Sequence, residues 1–179
     1  MYEKKKLDCC FLVCGNSKKT YQDLSKTYSA IEPPTWALLL AESTRSIGFK
    51  VSIIDANAEN LPEEDIFNRI KMLSPKLICF VAYGQNVNAG TVNMTGVIHI
   101  ASYLADKNIN IPMSIIGSHV QALPIETLKR ETMIDFVFTN EAVYALRNIL
   151  KLDCFDSHNL SKVNGIAYRH EGEIKMTPS

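Results

Sequence analysis

Residues 77–83 read Leu-Ile-Cys-Phe-Val-Ala-Tyr, the most apolar run in the chain. A run of this length with no polar alternation fits a strand buried on both faces, the kind found in parallel sheets covered by helices. Residues 9–15, CCFLVCG, repeat the pattern and stop at Gly15. Between these two runs, residues 50–55 (KVSIID) supply a third strand. Helical segments separate them. Pro33 and Pro34 open a helix over 35–47 that Gly48 ends, and Pro62, Glu63, Glu64 and Asp65 open another over 62–73. Proline and carboxylates suit a first helical turn, and glycine suits the residue just past the last turn.

Downstream the alternation continues. Residues 88–107 hold a loop and a long helix, and 113–116 form a fourth strand closed by Gly117. A short helix follows over 123–130, then a fifth strand over 135–138 and a fifth helix over 141–151. Five strands alternating with five helices predict a doubly wound α/β fold with a parallel sheet. The flavodoxin-like order 2-1-3-4-5 is the expected topology, with ligands beyond the carboxyl ends of the strands at the switch between strands 1 and 3. The tail differs: residues 165–168 and 174–176 flank a Glu171-Gly172 turn and read as a β-hairpin, added to the sheet edge or leading into a further domain.

The whole chain bounds the function. Its 179 residues suffice for one compact domain, and 46% apolar residues suffice for a full core. Nineteen basic and nineteen acidic residues cancel, so there is no electrostatic footprint for nucleic acid. Lys4-Lys5-Lys6 is a short terminal run that reads as solvated. No run approaches the roughly 18 apolar residues of a membrane span, and the apolar stretch 9–14 is too short for a signal peptide. The five cysteines fit reduced residues of a cytoplasmic protein, four of them in buried strands.

Candidate binding residues lie in the carboxyl-end loops. Strand 1 leads, through residues 15–20, to Pro33, Pro34, Thr35 and Trp36. Strand 3 leads to Tyr83, Gly84, Gln85, Asn86, Val87 and Asn88, then Gly90 and Thr91. Strand 4 leads to Gly117, Ser118, His119, Val120 and Gln121, and strand 5 to Asn140 and Glu141. These segments are rich in amides, hydroxyls and glycine and poor in charge. Amides present paired donors and acceptors, which suits a large neutral ligand with amide groups better than a phosphate or a metal. Composition alone leaves such a cradle level with an ordinary set of polar turns.

Competing motifs are absent: there is no G-x-G-x-x-G after the first strand and no G-x-x-x-x-G-K-[ST]. Four scattered histidines make no metal-ligand spacing. His119, just past a strand-ending glycine, either faces a ligand or bonds its own backbone. Trp36 is either core or a wall of the crevice. His99 reads as a packing or surface residue of a helix, and the opening of a helix explains Glu141 as well as any contact does.

Several segments together resemble one family. Residues 32–38 (EPPTWAL), 41–48 and 51–56 resemble the opening of the cobalamin-binding domain that precedes the catalytic domain of radical SAM enzymes of the methyltransferase and cyclase type. Residues 115–124, IIGSHVQALP, are similar to its Gly-Gly-Pro-His segment. Residues 135–138 with Asn140-Glu141 resemble its Asp-Phe-Val-Val…Gly-Glu element, and residues 165–173 its closing hairpin. The resemblance spans residues 31–178. Ser118, Asn140 and Val143 depart from it, replacing a glycine, a glycine and an acid.

No Asp-x-His-x-x-Gly follows strand 1, so the resemblance implies base-off cobalamin with no histidine below cobalt. It implies a nucleotide tail in the crevice between strands 1 and 3, and a corrin over the loops after strands 1, 3 and 4. Residues 1–151 are then the cobalamin-binding domain, and 152–179 a hairpin extension leading towards a catalytic domain. S-adenosylmethionine and a 4Fe-4S cluster belong only to that absent C-terminal radical SAM domain. Cys10 and Cys14 match two positions of Cys-x-x-x-Cys-x-x-Cys, but Ser17 takes the third, so no cluster and no metal ligand is expected here. The chain is expected to be a fragment that binds cobalamin without catalytic residues or activity of its own, and to bind neither nucleic acid nor membrane. The alternatives are a stand-alone corrinoid carrier or sensor, and a flavodoxin-like module for a flavin or nucleotide.

Overall fold

The computed structural model describes residues 7–15, 33–84 and 87–179, with residues 87–89 as backbone. Five parallel strands form its centre: β1 (Cys9–Val13), β2 (Val51–Asp55), β3 (Leu77–Val81), β4 (Met113–Ile116) and β5 (Phe136–Phe138). Their order is β2-β1-β3-β4-β5, the flavodoxin-like arrangement predicted from the alternation. The hairpin of β6 (Ile166–His170) and β7 (Glu173–Met176) does not stand apart. β6 pairs antiparallel with β5, so among the described residues the sheet has seven strands rather than five. Glu171 and Gly172 take left-handed backbone at the turn, with φ of 50° and 81°, as a tight two-residue hairpin loop requires.

Strand alternation divides the core. Cys10, Leu12 and Cys14 point to one side with Ile78 and Phe80, while Cys9 and Phe11 point to the other with Leu77 and Cys79. Helices α1 (Thr35–Arg45), α2 (Glu63–Leu73) and α3 (Val87–Asp106) follow strands 1 to 3. Ile66 and Ile70 of α2, with Val97, Ala101 and Leu104 of α3, cover the first side. Ala37 and Leu40 of α1 cover the second, joined by Ala145, Leu146 and Ile149 of α6 (Val143–Leu150). Every residue of β3 is buried, as its unbroken apolar run requires.

The helix ends follow local chemistry. Gly48 (φ 96°) closes α1 with a Schellman arrangement: its N–H donates to Arg45 O at 2.9 Å, and Phe49 N–H to Thr44 O at 3.3 Å. Pro62 caps α2, whose first turn holds Glu63, Glu64 and Asp65. Between β4 and β5 lie α4 (Ser118–Ala122) and α5 (Pro124–Arg130), and α7 (Ser157–Leu160) precedes the hairpin. Among the described residues no helix is long and apolar enough to cross a membrane.

Three boundaries differ from expectation, and all lie near the site. β3 stops at Val81, and α3 begins at Val87, so Val87, Asn88, Gly90 and Thr91 belong to a helix rather than a loop. Likewise α4 starts directly after Gly117 and takes Ser118, His119, Val120 and Gln121 into a helical turn. At α6 the shift runs the other way. Asn140 Oδ1 accepts the Ala142 N–H at 2.9 Å and Ala142 turns left-handed (φ 61°), delaying α6 to Val143 and leaving Glu141 outside it.

Candidate functional site

The carboxyl ends of β1, β3, β4 and β5 form one edge of the sheet, and the chain's polar turns crown it. On the α1 side, between β1 and β3, lies a crevice of about 270 Å³ reached by Val13, Val81, Pro34 and Gly84. Trp36 and Tyr83 wall it: their rings stack with centroids 4.4 Å apart and planes 21° from parallel. Trp36 is therefore half core and half crevice wall, which resolves the two readings of it. Pro33 and Thr35 stand exposed at the mouth.

Tyr83 is fixed from three directions. Its carbonyl accepts from Asn93 Nδ2 at 2.9 Å, its ring lies on Trp36, and its hydroxyl accepts from Gln121 Nε2 at 2.5 Å. Burial pushes the phenol up to about 12, with the Gln121 bond pulling down and the Glu141 carboxylate adding to the rise. The group is thus neutral at physiological pH. Because Gln121 donates to its oxygen, the phenol keeps its own proton for another acceptor.

The strand ends are drawn close by glycine. A Cβ on Gly117 would lie 2.5 Å from the Ala82 carbonyl oxygen and 2.9 Å from its carbon, so this glycine lets β4 pass the end of β3. Gly90 leaves room on α3 for the Ser118 hydroxyl. That hydroxyl is buried with no hydrogen-bond partner among the described residues, and so is Thr139 Oγ1 at the end of β5. A buried hydroxyl left unpaired costs on the order of 1–3 kcal/mol, so two of them at one crest favour a polar ligand or solvent that can meet them.

Among the other sequence candidates, His119 Nδ1 lies 3.4 Å from Thr91 Oγ1 and ties α4 to α3. Val120 is fully buried in the core beneath the crest. Asn140 and Glu141 line a further crevice of about 740 Å³ with Gln121, Asn148 and Asn164. Gln85 and Asn86 fall outside the described residues. The crest thus brings together Trp36, Tyr83, Gly117, Ser118, His119 and Gln121, with Asn140 and Glu141 along its far shoulder.

A third crevice, about 570 Å³, opens on the opposite side of the sheet, and sequence reasoning missed it. β1 alternates, so Val13 points to the Trp36 crevice while Cys14 and Gly15 line this one. Asn57 and Asn60, after β2, and Thr95 and His99, on α3, complete its rim. Gly96 signals it: a mid-helix glycine costs about 1 kcal/mol against alanine, which points to close approach. A Cβ there would lie 2.7 Å from Gly15 O.

The donor set at the crest suits cobalamin. Its phenol, its hydroxyls and the Gln121 amide are neutral hydrogen-bonding groups, and its stacked aromatic wall is flat. Among the described residues no group of three or more His, Cys, Asp or Glu could hold a metal ion by itself.

Comparison with known proteins bears on this reading. A search of curated proteins finds no match. Among solved structures, the chain is similar to the radical S-adenosylmethionine methyltransferase TsrM from Kitasatospora setae, solved with tryptophan substrate and a SAM analogue, with a TM-score of 0.66 and 15% identity over 95% of this chain. It is also similar to OxsB, a cobalamin-dependent S-adenosylmethionine radical enzyme, with a TM-score of 0.63 and 17% identity over 98% of this chain. The chain spans 30% and 22% of the length of those proteins, and at these identities the likeness is one of fold. The family model of the B12 binding domain matches residues 21–150, most of the chain, and the chain belongs to that family.

Proposed function

We propose that this chain is the cobalamin-binding module of a radical SAM enzyme that carries out methyl transfer or related radical chemistry. The single observation that carries the cobalamin part is the crest of neutral amide, phenol and hydroxyl groups, with its Trp36–Tyr83 wall and two buried hydroxyls that have no partner among the described residues. In this reading Trp36 and Tyr83 flank the nucleotide tail, and Ser118, His119 and Gln121 face the corrin side. Bound cobalamin supplies the methyl-carrying or radical chemistry. The residues of the chain hold it, exclude water and keep the surroundings neutral.

Two finer points belong to the same proposal. Cobalamin is held base-off with no histidine below cobalt. In support, His99 lies on the opposite side of the sheet, lining the third crevice, and His119 is engaged with Thr91 on the crest. The S-adenosylmethionine and 4Fe-4S sites lie in a catalytic domain outside these 179 residues, towards which residues 152–179 lead. Support comes from the two similar structures, described as radical S-adenosylmethionine enzymes and far longer than this chain. A cytoplasmic setting fits five free thiols and no disulfide.

Two measurements test the proposal. The EPR spectrum of the chain reduced with Co(II) cobalamin bound is expected to lack nitrogen hyperfine structure from an axial ligand; its presence overturns the base-off reading. The gene read past codon 179 is expected to encode Cys-x-x-x-Cys-x-x-Cys, and its absence removes the radical SAM assignment while leaving cobalamin binding standing.

A further inference from the structure

We propose that the crevice between β1, β3 and α1 selects corrinoids by the lower base on their nucleotide tail, taking benzimidazolyl cobamides in preference to purinyl ones. The inference rests on the cobalamin reading above and deepens it, naming which members of the cobamide class this chain holds. At about 270 Å³ the crevice falls just below the roughly 300–1,000 Å³ of sites for drug-sized ligands. It therefore holds one group of a cobamide, such as the base, rather than the corrin.

The lining is aromatic and aliphatic. The Trp36 and Tyr83 rings stack with centroids 4.4 Å apart, a pile that a further flat bicycle can extend. Val13, Ala37 and Val81 supply aliphatic carbon beside them, with Ala37 and Val81 buried. The polar groups around this lining are already engaged. Pro33 and Pro34 have no N–H to offer. Pro33 O accepts the Thr35 N–H at 2.8 Å and the Thr35 hydroxyl at 3.4 Å, and Pro34 O accepts the Leu38 N–H at 3.0 Å. Tyr83 O accepts from Asn93 Nδ2 at 2.9 Å, and the Tyr83 phenol oxygen accepts from Gln121 Nε2. Among the described lining residues no side chain is an amide, a carboxylate or a cation.

Such a lining discriminates between bases of the same shape. Dimethylbenzimidazole has two fused rings, two methyl groups and, beyond the nitrogen that carries the ribose, a single ring nitrogen. Adenine has two fused rings of similar size, no methyl group, three further ring nitrogens and an amino group. Against an aromatic and aliphatic wall the methyl groups gain by leaving water, whereas nitrogens and amino protons lose their water partners without replacement. Both differences favour the benzimidazole.

The test is anaerobic equilibrium dialysis of the full chain against cobalamin, its adeninyl analogue and cobinamide, which has no nucleotide tail. All three are used as Co(I) forms, whose cobalt carries no axial base, so that differences in base coordination drop out. Cobalamin is expected to bind at least about tenfold more tightly than either the adeninyl form or cobinamide. Trp36→Ala is expected to bring cobalamin close to the affinity of cobinamide, which itself stays unchanged. Val13→Thr keeps the shape of the side chain and adds a hydroxyl to the lining, and is expected to narrow the preference over adenine at least about threefold. Equal binding of the two cobamides, a cobinamide held as tightly as cobalamin, or a preference unchanged in both variants each overturns the proposal. Retention of none of the three corrinoids overturns the cobalamin reading itself, and this proposal with it.

Discussion

Replacing Gly117 by alanine separates two explanations of that residue. Its φ of 162° is ordinary extended backbone, so alanine meets no conformational barrier there. The obstacle is steric: the new methyl would stand 2.5 Å from Ala82 O, 2.9 Å from Ala82 C and 3.0 Å from Ala82 Cβ. Two of these atoms are backbone, pinned by the Ala82 N–H to Ile116 O bond of 2.8 Å, so no side chain can swing aside. Overpacking of this kind costs about 1–3 kcal/mol. For a chain of this size each kcal/mol moves Tm by about 2–4 °C, so Gly117→Ala is expected to unfold roughly 2–12 °C lower. Differential scanning calorimetry without cobalamin reads this directly. If Tm is unchanged and only cobalamin affinity falls, the glycine serves the ligand and the packing argument is refuted.

Further expectations follow from the same geometry. Tyr83→Phe keeps the stack on Trp36 but loses the Gln121 bond, so chemical denaturation is expected to show a loss of about 0.5–1.5 kcal/mol, with Trp36 fluorescence altered. Cys9, Cys10, Cys14 and Cys79 are buried and Cys154 is exposed, so DTNB at pH 8 is expected to titrate one thiol quickly and four only after denaturation. Burial pushes Cys10 and Cys79 up to about 12 from about 9, and Tyr83 up to about 12 from about 10. The unfolded chain releases these protons first, so their stabilisation is whole below about pH 9 and is lost as pH rises through about 12. Alkaline denaturation monitored by circular dichroism is expected to begin near pH 9, and a flat profile to pH 12 would contradict the burial of these groups.

Much of the architecture was legible because it rests on local signals. The runs at 9–15 and 77–83 announced strands buried on both faces, Gly48 announced the end of α1, and the Glu171-Gly172 pair announced the hairpin. What local signals could not supply was contact across the fold. The start of α3 at Val87 and of α4 at Ser118 turned expected loops into helical turns: no proline marks either start, and no capping side-chain bond marks that of α4. Gly117 stood among the candidate binding residues, and what the sequence did not reveal is its contact with Ala82, 35 positions away in sequence but adjacent through β3–β4 pairing. His99 looked like an unremarkable helical residue because Glu63 and the turn after β2 reach it only in the folded chain. Gly96 was the one available clue.

The most direct measurement is cobalt per chain after equilibrium dialysis against hydroxocobalamin, with FMN in a parallel cell. One equivalent of cobalt, no retained flavin, and a marked loss of cobalt in the double variant Trp36→Ala/Tyr83→Ala is the predicted result. No cobalt above the outer solution, or flavin retained in its place, contradicts the account.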